Sequence, residues 1–132
     1  MGLKELLEGE KEGFFVHGPD KEKGKEFFKI IFDYDSEIGT FTLKGRDCVL
    51  AKNRKNQKFI GYGYITKFNK IKFDKLYSEN SLTPDWRIGM KYDSNFSIIN
   101  YEGNIIENTK KIFGEWFHDG DDEPKGFWRI NL

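Results

Sequence analysis

The sequence predicts an all-β chain: an antiparallel up-and-down meander of eight or nine strands, closed as a barrel, behind a short N-terminal helix. Three observations predict it. Apolar and polar residues alternate with a period of two over most of the chain, the mark of strands with one buried face. Turn-forming residues break that rhythm about every 8 to 15 residues, a spacing that suits hairpins better than helical crossovers. Finally, 13 Phe, 6 Tyr and 3 Trp among 132 residues supply the apolar area for one compact core.

Leu3 to Glu10 is the one helical stretch, with Leu3, Leu6 and Leu7 at i, i+3 and i+4 and Gly9 as its stop. Too short to stand alone, it suits a plug in one end of a barrel. The strands follow as Glu26 to Phe32, Ile38 to Lys44, Asp47 to Leu50, Phe59 to Phe68, Ile71 to Tyr77, Trp86 to Tyr92, Phe96 to Tyr101, Lys110 to Phe117 and Gly126 to Leu132. Their faces separate cleanly. Phe41 and Leu43 oppose Thr40, Thr42 and Lys44; Ile71, Phe73, Lys75 and Tyr77 oppose Lys72, Asp74 and Leu76; Trp128, Ile130 and Leu132 oppose Phe127, Arg129 and Asn131. The turns fall at Gly18-Pro19-Asp20, Asp33 to Ser36, Gly45, Asn53 to Gln57, Asn69, Ser78 to Asp85, Asp93 to Asn95, Gly103-Asn104 and Asp119 to Gly126. A meander this long has edges that invite aggregation, and closure removes them. Loop lengths alone do not separate a barrel from a two-sheet sandwich.

Lys and Arg number 22 and Asp and Glu 22, so no overall charge draws the chain to nucleic acid or to an anionic membrane. Cys48 is the single cysteine, which excludes an internal disulfide and a cysteine zinc site and fits a reducing, cytoplasmic home. Met1 to Glu12 carries four Glu and no apolar stretch of the kind that directs export, and the clean apolar runs fall far short of the ~20 residues of a membrane span.

Near the C-terminus stand Tyr101-Glu102-Gly103, Ile112-Phe113-Gly114-Glu115-Trp116 and Gly126-Phe127-Trp128-Arg129-Ile130, with a fainter echo in Gly39-Thr40-Phe41-Thr42-Leu43. A Gly next but one to a large ring resembles the strands of calycin-type barrels, the group of lipocalins, fatty-acid-binding proteins and avidins. The resemblance covers about the last third of the chain. Here the Gly-x-Trp strand is next to last, where lipocalins and avidins have it first. It implies a calycin-like β-barrel with an enclosed lumen, and it implies that Arg129 packs over Trp116 as a late-strand Arg does in lipocalins.

Several constellations bear on chemistry. Gly61-Tyr62-Gly63-Tyr64-Ile65 is similar to the central strand of the RNA-recognition motif, but Ile60 and Lys67 break the pattern and the two helices of that fold are missing. From Lys52 to Lys75 eight basic residues face one acidic one, Asp74. The interleaved Phe59, Tyr62, Tyr64, Phe68 and Phe73 would suit base stacking only if they faced outward. Lysines on a barrel exterior ordinarily deter edge pairing, so nucleic acid is not the expected partner. The loop His118 to Pro124 gathers four carboxylates without the ligand order of a calcium loop and reads as a solvated hairpin turn. No zinc-protease pattern, nucleophile elbow or phosphate loop is present, and the pairs Asp33 with Asp35 and Asp121 with Asp122 read as turns. Cys48 reads as a small apolar core residue, and Trp86 as the start of a strand or a partner anchor.

The expected function is therefore binding without catalysis. A small apolar or amphipathic molecule is placed in a lumen lined by Phe41, Tyr62, Tyr64, Trp116 and Trp128, with no cofactor, metal or catalytic residue assigned. The competing expectation is a protein-interaction or structural module, its barrel filled by the same rings and the basic hairpin 52–75 as its contact surface.

Overall fold

The computed structural model describes residues 2–18, 24–48, 55–77, 98–118 and 120–132. One helix precedes eight strands: α1 (Leu3–Leu7), β1 (Glu10–His17), β2 (Glu26–Asp35), β3 (Thr40–Cys48), β4 (Lys55–Ile65), β5 (Lys70–Tyr77), β6 (Ile98–Ile106), β7 (Lys111–His118) and β8 (Gly126–Asn131). Each strand pairs antiparallel with the next, and β1 pairs with β8, so the sheet closes as a barrel rather than splitting into a sandwich.

The helix stops three residues earlier than the spacing suggests. Glu8 is already extended, Gly9 takes φ 83°, and Glu10 pairs with Ile31 of β2, so the barrel wall recruits the chain that would have made a second turn. Leu6 and Leu7 are buried, and Leu7 joins the barrel core.

β1 is a strand the alternation did not reveal. Gly13, Phe14, Phe15 and Val16 are buried in succession, because the outward-facing Phe14 is covered by Lys25, Phe27 and Arg129. Ile38 to Lys44 and Asp47 to Leu50 prove to be one strand as far as Cys48, running through Gly45, where a Cβ would meet the Phe59 ring at 2.7 Å. Likewise Gly103 and Asn104 lie inside β6 rather than in a turn, paired with Gly114 and Phe113. β4 ends at Ile65, short of Phe68. Thr66 Oγ1 accepts hydrogen bonds from the Phe68 and Lys70 amides, and Asn69 takes φ 61° to complete the hairpin turn. The expected strand Trp86 to Tyr92, Trp86 itself, and Val49 and Leu50 lie outside the described residues.

Rings fill the described interior in two connected tiers. Nearer the helix, Phe32 meets Phe41, Phe41 meets Phe73, and Phe73 stacks on Tyr101 at 4.7 Å with Trp128 edge-on to both. Nearer the other end, Phe15 contacts Phe28 and Trp116, and Phe28 contacts Phe59.

The two tryptophans are held by a reciprocal arrangement across β7 and β8. Trp116 stands opposite Gly126, and Trp128 stands opposite Gly114. The Trp116 indole lies against the bare backbone of Gly126, and both indoles donate their N–H to main-chain carbonyls: Trp116 to Val16 O at 2.9 Å, Trp128 to Glu102 O at 3.1 Å and Glu115 O at 3.0 Å. A Cβ on Gly103 would fall 2.8 Å from Trp128 Cζ2, so the ring also depends on the next strand being bare. Gly103→Ala and Gly126→Ala are each expected to lower the unfolding free energy by about 1–3 kcal/mol through overpacking. Urea unfolding should show the lower midpoint, and a cycle with Trp128→Phe should show Gly103→Ala costing less when the ring is smaller.

Candidate functional site

Of the five residues expected to line the lumen, the structure brings Phe41, Trp116 and Trp128 together inside and places Tyr62 and Tyr64 outside, 59% and 48% exposed. Phe59 and Ile65 set the phase of β4: both are buried, so Gly61 and Gly63 share the inward side and the tyrosines between them face solvent. The glycines are needed there because Leu43 and Phe73 occupy the space their side chains would take. Phe73 and Phe59 of the basic hairpin point inward, whereas Phe68 is exposed in the β4–β5 turn.

Arg129 does not reach Trp116. Trp128 and Ile130 hold the inward side of β8, which sends Arg129 outward over the Phe14 ring, 4.8 Å from its centroid. Its Nε is buried without a hydrogen-bond partner among the described residues. Cys48 is half-buried at the end of β3. Asp35 Oδ1 accepts from the Glu37 amide and Asp121 Oδ1 from the Glu123 amide, both turn contacts, and the Lys125 ammonium at 2.9 Å holds the Asp121 carboxyl below the usual carboxylate range. No group of three or more His, Cys, Asp or Glu that could hold a metal ion occurs among the described residues, and no described helix is long and apolar enough to cross a membrane.

The inward side of the barrel carries ionisable groups at the end away from α1. Asp47 and Lys75 are each 2% exposed, with Lys75 Nζ 3.3 Å from Asp47 Oδ1. Rings surround the ammonium, with centroids at 4.2 Å (Phe59), 4.7 Å (Phe15), 5.4 Å (Phe28) and 5.6 Å (Tyr101). Burial pulls the Lys75 pKa below its ordinary value against the opposing pull of Asp47, and burial pushes the Tyr101 phenol well up. At the rim His17 Nε2 lies 3.0 Å from Glu26 Oε2 and its ring meets Trp116 edge-on at 5.0 Å; His118 flanks the same indole at 5.8 Å. The sequence places Lys75 on the basic contact hairpin, but the structure turns it inward, 2% exposed, because it shares the phase of Ile71 and Phe73. The signal was parity: Lys75 shares a face with Ile71 and Phe73, and Asp47 shares one with Phe41 and Leu43.

The outer face of β3, β4 and β5 is the other unusual surface. Lys44, Arg46, Lys58, Lys67, Lys70 and Lys72 are exposed across these strands and the β4–β5 turn, against one carboxylate, Asp74. In the register Tyr62 lies between Thr42 and Asp74, and Tyr64 between Thr40 and Lys72. Two clefts of about 360 and 310 Å³ flank Tyr64: the first is bounded on the far side by Glu102 and Asn104 of β6 and Glu115 of β7, the second by Asn100 and Glu102. Asn100 Nδ2 donates to Asp74 Oδ1 at 2.7 Å, and Lys72 meets Glu102 at 3.0 Å, a hydrogen-bonded pair that raises the lysine pKa. A third cleft, of about 400 Å³, lies across β2 to β4, where Lys29, Lys44, Arg46 and Lys58 surround Ile31 and Ile60. Glu10 is its acidic member, 3.8 Å from both Lys29 and Arg46.

No protein-family model, curated protein or solved structure matches this chain.

The buried pair yields a stability prediction. Lys75→Met alone removes the ammonium that lies 3.3 Å from the buried Asp47 carboxylate and is expected to destabilise the barrel by about 3–5 kcal/mol. The double variant Asp47→Leu/Lys75→Met should be neutral or more stable by roughly 1–4 kcal/mol if the pair only fills space. Chemical denaturation of the three proteins checks both outcomes.

Proposed function

We propose that this protein is a binding module whose working surface is the outer face of β3, β4 and β5 and whose partner is an extended anionic chain. The observation that carries this reading is the segregation of six cations against one carboxylate around two outward tyrosines, in a chain whose net charge is zero. Cations spread over neighbouring strands sum to a local potential that a single lysine does not produce, and such a patch raises the encounter rate with an anion. The interior supports the reading from the other side, since in the described section it is occupied by the protein's own rings. Calycin-like kinship fits the closed eight-strand order and the paired Gly-x-Trp segments, and in this reading the fold supplies a rigid wall rather than a ligand chamber.

A second reading keeps the small ligand. It is favoured by the inward polar groups at the end away from α1, where Asp47 and Lys75 lie beneath His17, Glu26 and His118. A molecule with an apolar body and a charged head would enter there, and native mass spectrometry of freshly purified protein would reveal it as a bound mass.

The contact-face reading is tested on immobilised heparin. The protein is expected to be retained and to elute with rising salt, whereas Lys44→Glu/Lys58→Glu/Lys70→Glu should pass through at low salt. Equal elution of the two proteins would remove the reading.

A further inference from the structure

We propose that the anionic chain bound by this face is a single-stranded nucleic acid, with bases stacked on Tyr62 and Tyr64 and phosphates following the surrounding lysines. This inference rests on the contact-face reading and adds the partner's chemistry to it.

Cations alone would suit any polyanion; the tyrosines narrow the choice. Tyr62 and Tyr64 stand two residues apart on one strand, so their attachment points are separated by roughly 6.6–6.8 Å along β4. Both rings are about half exposed, and both open onto the cleft of about 310 Å³ lined by Asp74, Asn100 and Glu102. Aromatic rings in a basic groove offer π-faces to unstacked bases without regard to sequence, whereas a duplex keeps its bases occupied by one another. Lys44 and Lys58 lie to one side of the two rings and Lys67 and Lys70 to the other, with Lys72 beside Tyr64, so a strand laid along β4 meets cations before and after the stacking positions. Around the rings themselves the surface is not purely basic. Asp74 holds Asn100, and Glu102 holds Lys72, which places hydrogen-bond donors and acceptors beside the stacking positions, where base edges would come. An acidic polypeptide would meet the same charges as a phosphate backbone but brings no bases to stack, and would leave the rings unused.

The sequence expectation against nucleic acid rests on the zero net charge, on the broken pattern and missing helices of the RNA-recognition motif, and on the ordinary solvation of exterior lysines. None of these bears on the direction of the tyrosines, which the phase of β4 sets outward. The proposal requires no likeness to that motif, because it needs only the rings and the charges on one face.

The test is fluorescence anisotropy with a labelled oligo-dT of about 12 nucleotides, within the site sizes of such grooves, set beside a duplex of equal length and a labelled poly-glutamate. The single strand should bind at least about tenfold more tightly than the duplex. With about four phosphates engaged, affinity should fall roughly 50-fold between about 50 and 200 mM salt. Tyr62→Ala/Tyr64→Ala should weaken binding at least about 30-fold with the salt slope unchanged, while Tyr62→Phe/Tyr64→Phe should retain it. Lys44→Ala/Lys58→Ala/Lys70→Ala should instead flatten the salt slope by about two. All these side chains face outward, and matching urea midpoints would show that the variants keep the fold. Binding that ignores the tyrosine substitutions, or that favours the duplex or poly-glutamate, overturns the nucleic-acid inference and leaves the contact face standing. Failure to bind oligonucleotide, poly-glutamate and heparin alike overturns both.

Discussion

Large rings need bare backbone beside them, and the closed shape of this barrel depends on that pairing. Eight strands enclose an interior just wide enough for side chains to fill, so every added ring must be matched by a missing one. Inward glycines on β1, β3, β6 and β8 supply the gaps, and the rings of Phe28, Phe59, Trp128 and Trp116 occupy them in turn. The reciprocal pair across β7 and β8 is the most constrained case, because each tryptophan packs on a glycine and also satisfies a main-chain carbonyl. Those indole hydrogen bonds join β8 to β7 and β6 on one side and β7 to β1 on the other. The same contacts that fill the core therefore hold the first and last strands in register.

Among the described residues the interior is lined by rings, and a charged pair stands out among them. Asp47 and Lys75 sit among rings where a pair of apolar side chains would satisfy packing at less desolvation cost. The pair also stands at the end of the barrel where the inward positions turn polar, from Tyr101 through Lys75 and Asp47 to His17 and Glu26 at the rim. Polarity therefore increases along the barrel axis away from α1. The helix covers the apolar end with Leu6 and Leu7.

Much of this fold was legible in the sequence because a two-residue rhythm survives any amount of barrel curvature. β5, β7 and β8 lie close to their expected limits, whereas β2 runs on through Asp33 to Asp35, which read locally as a turn but pair with Thr40 to Thr42 of β3. What was hidden was hidden for physical reasons. β1 lost its alternation because Phe14 and Val16 on its outer side are covered as fully as Phe15 on its inner side. Gly45 and Gly103 resemble turn residues when read locally, yet each exists to admit or approach a neighbour that only the closed sheet brings near. In β4 the hydrophobic reading favoured Tyr62 and Tyr64 as the inner residues because they are larger than the glycines between them. The correct phase is carried by Phe59 and Ile65 at the ends of the run. Asp47 and Lys75 were visible as charges on apolar faces, but nothing local says that two such residues on strands separated in sequence will meet. Arg129 went astray with the lipocalin analogy, which placed it by strand order rather than by the parity of its own strand.

A net charge of zero conceals the asymmetry that matters most. The acidic residues on described outward positions fall mainly on β1, β2, β6 and β7, as Glu10, Glu12, Asp33, Asp35, Glu102 and Glu115, while the cations collect on β3 to β5. At physiological salt, charges act over a Debye length of about 8 Å, so opposite sides of a barrel are screened from one another and do not cancel. An approaching anion therefore experiences the nearest face and not the sum over the chain. Three neighbouring strands can present a positive field although the molecule as a whole is neutral. The ion pairs that border this field, Arg46 with Glu10 and Lys72 with Glu102, limit its width to the strands between them. The tyrosines stand inside that border, where an anionic chain would be held longest. Their outward direction is set by the same rule that closes the barrel, since the inner side of β4 had to be left to Gly61 and Gly63.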